Sequence, residues 1–238
     1  MNQSPDHYCE LASFAEEFQR GTPALLYHRL GRTRLFQKRR GLTLSPGLFR
    51  RQLAELRAAG FASTTTLAAS AKRVWITFDD GDASTLAALE PLREYGMQAV
   101  QFLVADRIGG VNDWDATGEP LMDEVQIREW LSAGHAIGSH TLTHARLNTL
   151  APAAVREEIA SSRAKLEDRF GVAVSLFAYP WGECDARLAA EVAAAGYTAA
   201  FTTERGVNTL TTSPFQLRRH TVWCALRKPR ELWLALRS

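Results

Sequence analysis

Seven short apolar runs alternate with helical segments along nearly the whole chain. Such alternation leaves few folds open. It implies parallel strands joined by crossover helices, either in an open doubly wound sheet or in a closed (β/α) barrel. The expected strands are 24–28, 74–78, 99–104, 135–139, 175–179, 197–202 and 216–222. Between them, Ser45 as cap, Pro46 in the first turn and Leu48, Phe49, Leu53 and Leu56 at helical spacing predict a helix that stops at Gly60. Further helices are expected over 83–95, from Asp123 to a stop at Gly134, along the face Val155, Ile159, Ser162, Leu166 and Phe170, over 185–195, and at 231–236. In either fold, chemistry belongs at the C-terminal ends of the strands.

Composition sets the outer bounds. With 238 residues, 28 Lys+Arg against 26 Asp+Glu and 46% hydrophobic residues, the chain is expected to be a single domain, 1–238, with an ordinary core. A net charge of +2 argues against a nucleic-acid partner. The local run Arg32, Arg34, Lys38, Arg39 and Arg40 reads as a solvated loop, with contact to an anionic ligand as the alternative. No stretch reaches the roughly 18 apolar residues of a membrane span. Met1 to Asp6 show neither a basic nor an apolar leader region, so a cytoplasmic location is expected. Cys9, Cys184 and Cys224 are odd in number and widely spaced, which suits reduced thiols, and none forms the paired spacing of a cysteine zinc site. Trp223 and Trp233 near the end are expected to pack on the protein's own barrel.

Three clusters fall at expected strand ends. Thr77-Phe78-Asp79-Asp80-Gly81 places two carboxylates before a glycine. A tight turn there brings neighbours that would otherwise diverge into one site, one to bind a cation and one left free as a base, although Asp-Asp-Gly is equally a plain turn sequence. In Ser139-His140-Thr141-Leu142-Thr143-His144, two histidines at i and i+4 share one face of a helical turn, within reach of a single metal ion. Phe177-Ala178-Tyr179-Pro180-Trp181-Gly182 closes another strand, and exposed Tyr179 and Trp181 would form a wall for a sugar ring, or simply a packed rim. His135 reads as structural. Asp113, Trp114 and Asp115 lie in a loop that either rims the same groove or is solvated.

Taken in order, Thr77 to Gly81, His140 to His144 and Tyr179 to Gly182 resemble the motifs of the polysaccharide deacetylase family, the NodB-homology domain or carbohydrate esterase family four. Tyr27-His28-Arg29 resembles the opening segment of a subgroup tied to exopolysaccharide and amino-sugar deacetylation, and the likeness runs from about residue 24 to residue 222. The resemblance implies a distorted (β/α) barrel of about seven parallel strands. It also implies a divalent metal, usually Zn2+, held by Asp80, His140 and His144, with Asp79 as general base. Backbone N–H groups near Tyr179 would assist the oxyanion. Two departures stand out. Many relatives carry an arginine ahead of the proline in the third motif, where this chain has Phe177-Ala178-Tyr179, so Arg219 is the candidate for the cation that orients the base. The family's late Leu-x-His motif is not cleanly present, leaving His220 and His28 as candidate acids, with His28 also a candidate substrate contact.

The expected function is removal of an N-acetyl group from an amino sugar carried by a nucleotide, lipid, glycoside or oligosaccharide. The alternatives are hydrolysis of a non-sugar amide or cyclic imide on the same fold, and a non-catalytic carbohydrate-binding protein. The sequence leaves the oligomeric state open.

Overall fold

The structure, a computed structural model, describes residue 8 and residues 10–32, 42–67, 72–115 and 117–222. In chain order the strands are β1 (Ala24–Tyr27), β2 (Arg29–Leu30), β3 (Thr43–Leu44), β4 (Ala62–Ser63), β5 (Arg73–Phe78), β6 (Val100–Leu103), β7 (Ala136–Ser139), β8 (Leu176–Ala178), β9 (Ala199–Phe201) and β10 (His220–Thr221). The α-helices are α1 (Ala15–Phe18), α2 (Pro46–Ala58), α3 (Leu89–Glu94), α4 (Glu124–Ser132), α5 (Pro152–Arg156), α6 (Ser162–Phe170) and α7 (Ala186–Ala194). The main sheet has the order β10-β1-β5-β6-β7-β8-β9, with every neighbour parallel. It curls into the distorted (β/α) barrel that the family resemblance implies, one of the two arrangements the alternation leaves open. The last expected strand is the most changed. Leu217 bridges Phe201 of β9, and three residues later His220 pairs with Leu25 of β1, so one short segment touches both edges of the curled sheet.

Side chains alternate strictly across this sheet, because successive residues of a strand point to opposite faces. Ala24, Trp75, Val100, Phe102, Leu176, Ala178, Ala199, Phe201 and Leu217 pack together inside the curl. Leu25, Tyr27, Val74, Ile76, Phe78, Phe177 and Tyr179 face the helices. Gly138 of β7 belongs to the inner row. A Cβ at that position would lie 2.4 Å from Cε1 of Phe102 and 3.0 Å from the Leu176 carbonyl oxygen, so glycine is what lets the Phe102 ring fill the middle of the barrel. Extending the inner rows past the strand ends points Asp79, His140 and Arg219 toward one place.

The helices start where the sequence predicts. The Ser45 hydroxyl accepts from Leu48 N, Asp123 and Gln126 form a reciprocal capping box, and Asp185 accepts from Leu188 N. Two helices depart from expectation. Over 83–95 the first half tightens into a 3₁₀ segment, Ala83–Ala88, because Pro91 cannot donate and its ring would crowd the carbonyl four residues back. The helix carrying Val155 to Phe170 contains a π-helical turn at Glu157–Ser161, between α5 and α6. The expected helix at 231–236, Trp223, Trp233, Cys9, Cys224, Arg34, Lys38, Arg39 and Arg40 lie outside the described residues, and Arg32 is exposed. Among the described residues, no helix is long and apolar enough to cross a membrane.

Candidate metal and catalytic site

Beyond the end of β5 the chain turns sharply through left-handed backbone, with φ of 74° at Asp80 and 79° at Gly81. This turn brings two adjacent carboxylates to the same end of the barrel. Asp79 is met by Arg219: Nη1 donates to Oδ1 and Nη2 to Oδ2, both at 2.8 Å. The guanidinium is fully buried, donates also to the Thr202 carbonyl and the Thr77 hydroxyl, and sits over the Phe102 and Phe201 rings. A two-point fork of this kind fixes a carboxylate in both position and plane. Burial pushes the Asp79 carboxyl up. Arg219 first, then His140 and His28, more than offset that, and the net direction is down.

Asp80 faces the two histidines. Its Oδ1 is 3.7 Å from His140 Nε2 and 3.4 Å from His144 Nε2. One ligand atom from each of the three residues can be chosen so that all lie within 4.8 Å of one another, and all three residues are buried. Ligand atoms around a tetrahedral Zn2+ at roughly 2.0–2.1 Å stand about 3.3 Å apart, so the separations suit one ion after small movements. The protonation states suit it too. Burial holds His140 down to about 4 despite the nearby Asp79, and Asp80 is lowered below the usual carboxylate range because His144, His28 and His140 outweigh its burial. A carboxylate and neutral imidazoles are the forms that bind a cation. His140 is also oriented for the task. Its Nδ1 lies 2.7 Å from the Ala178 carbonyl, which makes Nδ1 the protonated nitrogen and leaves the Nε2 lone pair facing Asp80.

The two histidines converge, but not on a helical turn. His140 directly follows β7, and the loop behind it bends through left-handed backbone at Thr141 (φ 70°) and His144 (φ 65°). Side chains hold that shape. Glu158 accepts from Leu142 N, Thr143 N and the Thr143 hydroxyl at 2.9, 3.0 and 2.6 Å, and the Thr141 hydroxyl accepts from His144 N at 3.0 Å. Glu158 sits in the π-helical turn, and no local pattern in the sequence marks it as a partner of Thr143 and Leu142, 15 and 16 residues earlier. Asp80, Thr141, His144 and Trp181 are four of the five non-glycine residues with positive φ among the described residues, so backbone strain is concentrated at this site.

The remaining expectations divide. Trp181 is half-buried, its ring edge-on to His144 at 5.1 Å, with the Arg146 guanidinium 4.3 Å above it. Tyr179 is not a groove wall: it is fully buried on the helix-facing side, and its hydroxyl donates to the Phe215 carbonyl at 3.0 Å. Its N–H is bound to Phe201 O, so it is not the amide that would serve an oxyanion. His220 is likewise placed elsewhere. Arg219 points inward, so its neighbour points outward, where it packs against Phe14 and Phe18 and approaches Glu17 at 3.4 Å. His28 is half-buried and within electrostatic range of Asp80 and Asp79, with burial lowering its pKa overall. His135 packs against Trp130 at 4.6 Å and is held down to about 4 by burial, in keeping with a structural residue. Trp114 is stacked on His144, with centroids 4.4 Å apart and planes 14° from parallel. Asp115 is bound at 2.6 Å by Arg29, which also meets Asp82 at 3.0 Å, while Asp113 pairs with Arg107 at 3.2 Å. The Arg29–Asp82–Asp115 cluster links three separate segments and is invisible to local sequence reading.

Residues 67–200 match the family model described as Polysaccharide deacetylase. The chain is 30% identical over 151 residues to YxkH of Bacillus subtilis (strain 168), a protein named as a polysaccharide deacetylase, across 63% of this chain and 51% of YxkH. It is also 30% identical over 129 residues to Chitin deacetylase 1 of Cryptococcus neoformans, covering 53% of this chain and 25% of that protein. The chain therefore spans about half or less of the length of these curated relatives. Among solved structures, BC0361, a polysaccharide deacetylase from Bacillus cereus, shares the fold with a TM-score of 0.75 at 24% identity, over 92% of this chain and 70% of BC0361.

Proposed function

Because the chain belongs to the polysaccharide deacetylase family, we propose that it is a metal-dependent hydrolase that removes the N-acetyl group from an amino sugar, giving acetate and a free amine. The observation that carries this reading is the pairing of two unlike carboxylates at one strand end. Asp79 is locked by Arg219, and Asp80 is turned toward His140 and His144. The first, fixed by a two-point guanidinium fork, serves as base. The second serves as ligand.

Asp80, His140 and His144 would hold a divalent cation, most simply Zn2+. Bound there, the cation supplies polarisation of the amide carbonyl and a lowered pKa for an attacking water. Asp79 takes the proton from that water, and Arg219 keeps the carboxylate ionised and aimed. Trp181 flanks His144 and is the half-buried aromatic at this site suited to contact a sugar ring. His28 is better placed than His220 to return a proton to the departing amine, since it is coupled to both carboxylates while His220 faces away from them. Its lowered pKa keeps it neutral until the proton released to Asp79 reaches it.

The test measures bound metal and acetate release across N-acetylated sugar nucleotides, glycosides and oligosaccharides, for wild type and Asp79→Asn. Metal in both proteins with acetate from the wild type alone is the expected result. Metal without acetate from any of these substrates would refute the sugar deacetylase reading, and absence of metal from both would refute the ligand assignment.

A further inference from the structure

Two histidines face Asp80, yet only one of them has its Nδ1 held by a hydrogen bond. His140 has its Nδ1 against the Ala178 carbonyl, whereas His144 Nδ1 is buried with no hydrogen-bond partner. A metal-binding imidazole is ordinarily oriented by what its second nitrogen touches. His144 lacks that tether, but its ring is enclosed. The Trp114 indole lies flat on it at 4.4 Å, and the Trp181 ring meets it edge-on at 5.1 Å.

We propose that Trp114 is a positioning residue for the His144 imidazole, using its stacked face in place of the missing hydrogen bond, and that the buried Arg29–Asp115 ion pair sets Trp114 in place. The proposal rests on the reading of Asp80, His140 and His144 as a cation site. Three features support it. The indole nitrogen of Trp114 is itself buried without a partner, so the ring's face rather than its N–H is what the contact uses. Asp115, the next residue, is anchored by Arg29 at 2.6 Å, with both side chains almost wholly buried, and it also accepts from Thr117 N at 3.1 Å. Arg29 in turn reaches Asp82, two residues beyond the ligand Asp80, so one guanidinium ties the Trp114 loop to the turn that carries the carboxylate ligand. Trp181 has a comparable anchor, with Arg146 stacked on its ring and paired to Glu183.

The experiment titrates the metal-free, full-length protein with Zn2+ against a chromophoric chelator, and with Co2+ while its visible absorption is recorded. Trp114→Ala is expected to weaken Zn2+ binding about ten-fold or more, the size of effect typical for losing an orienting partner, and to alter the Co2+ spectrum. Trp114→Phe, which keeps a stacking face, restores both to near wild type. Asp115→Asn shifts binding in the same direction. The double variant Trp114→Ala/Asp115→Asn is no weaker than Trp114→Ala alone, because both changes remove one and the same support. Wild-type affinity and spectrum in Trp114→Ala would overturn the proposal. So would a Phe variant as weak as the Ala variant, which would make the effect one of loop packing, and so would a wild type that binds no cation. If Trp114→Ala does not fold, Asp115→Asn carries the test, and unchanged affinity there would overturn the link to Arg29. None of these readouts uses acetate. A wild type that binds Zn2+ through Trp114 but releases no acetate would refute the deacetylase reading and uphold this one.

Discussion

At the scale of single residues, a difference of one position decides a role. Asp79 and Asp80, or Arg219 and His220, are neighbours in the chain but lie on opposite sides of a strand unless a turn intervenes. Gly81 and the left-handed Asp80 supply that turn for the first pair. Nothing supplies it for the second, so Arg219 enters the barrel and His220 leaves it. This is why the convergence of Asp80, His140 and His144 and the pairing of Arg219 with Asp79 were legible in the sequence, while Tyr179 and His220 were misplaced through strand parity. Asp79→Asn is expected to lower the rate of acetate release about 10²- to 10⁴-fold, the usual worth of a general base, with bound metal unchanged by elemental analysis. Arg219→Ala acts through pH as well. Asp79 is held below its ordinary range chiefly by Arg219, working against burial. Without Arg219, burial dominates and the acid limb of kcat/KM moves to higher pH. A limb that stays in place would show that Arg219 does not set this ionisation.

At the scale of elements, the sequence located strands and helix caps well because both are local: alternation, Ser45, Asp123 and Asp185 all sit beside what they specify. The irregular parts were not legible, because their partners are distant. The π-helical turn presents Glu158 to the loop between the two histidines, where one carboxylate receives two backbone N–H groups and a hydroxyl. Glu158→Ala strands those donors. We expect a loss of about 1–3 kcal/mol in denaturant unfolding together with weaker Zn2+ binding. A loss of stability with intact metal affinity would separate the loop's shape from its ligand. Gly138→Ala tests the barrel interior. The added methyl meets the Phe102 ring and the Leu176 carbonyl, and overpacking of this kind costs typically about 1–3 kcal/mol. Urea unfolding measures it, and an unchanged midpoint would mean that the Phe102 ring moves aside freely.

At the scale of the whole molecule, the ionisation states needed by the site also govern acid tolerance. His135 and His140 are both held near about 4 in the folded protein, whereas in the unfolded chain they take up protons near about 6.5. Their contribution to stability is therefore complete above that value and is lost as pH falls from about 6.5 toward 4. The buried carboxylates Asp79 and Asp80, lowered in the folded state, add a further loss only at more acidic pH. Chelator-treated protein should show a falling urea midpoint between pH 7.5 and 5, and a constant midpoint would contradict the buried neutral histidines. Saturating metal offsets the loss: at a hundred times its Kd, a ligand specific for the folded state adds about 2.7 kcal/mol.

The segment that joins the two sheet edges is also the last of the site to be made. Arg219 lies 140 residues after Asp79. At a synthesis rate of about 5–20 residues per second, the ribosome delivers it roughly 7–28 s later. By then Asp80, His140 and His144 have all been translated, so a nascent chain holds the Asp-His-His cluster before Asp79 has its counter-charge. Asp79 buried without that guanidinium would be an unpaired buried charge, so its burial is expected to follow synthesis of the closing segment.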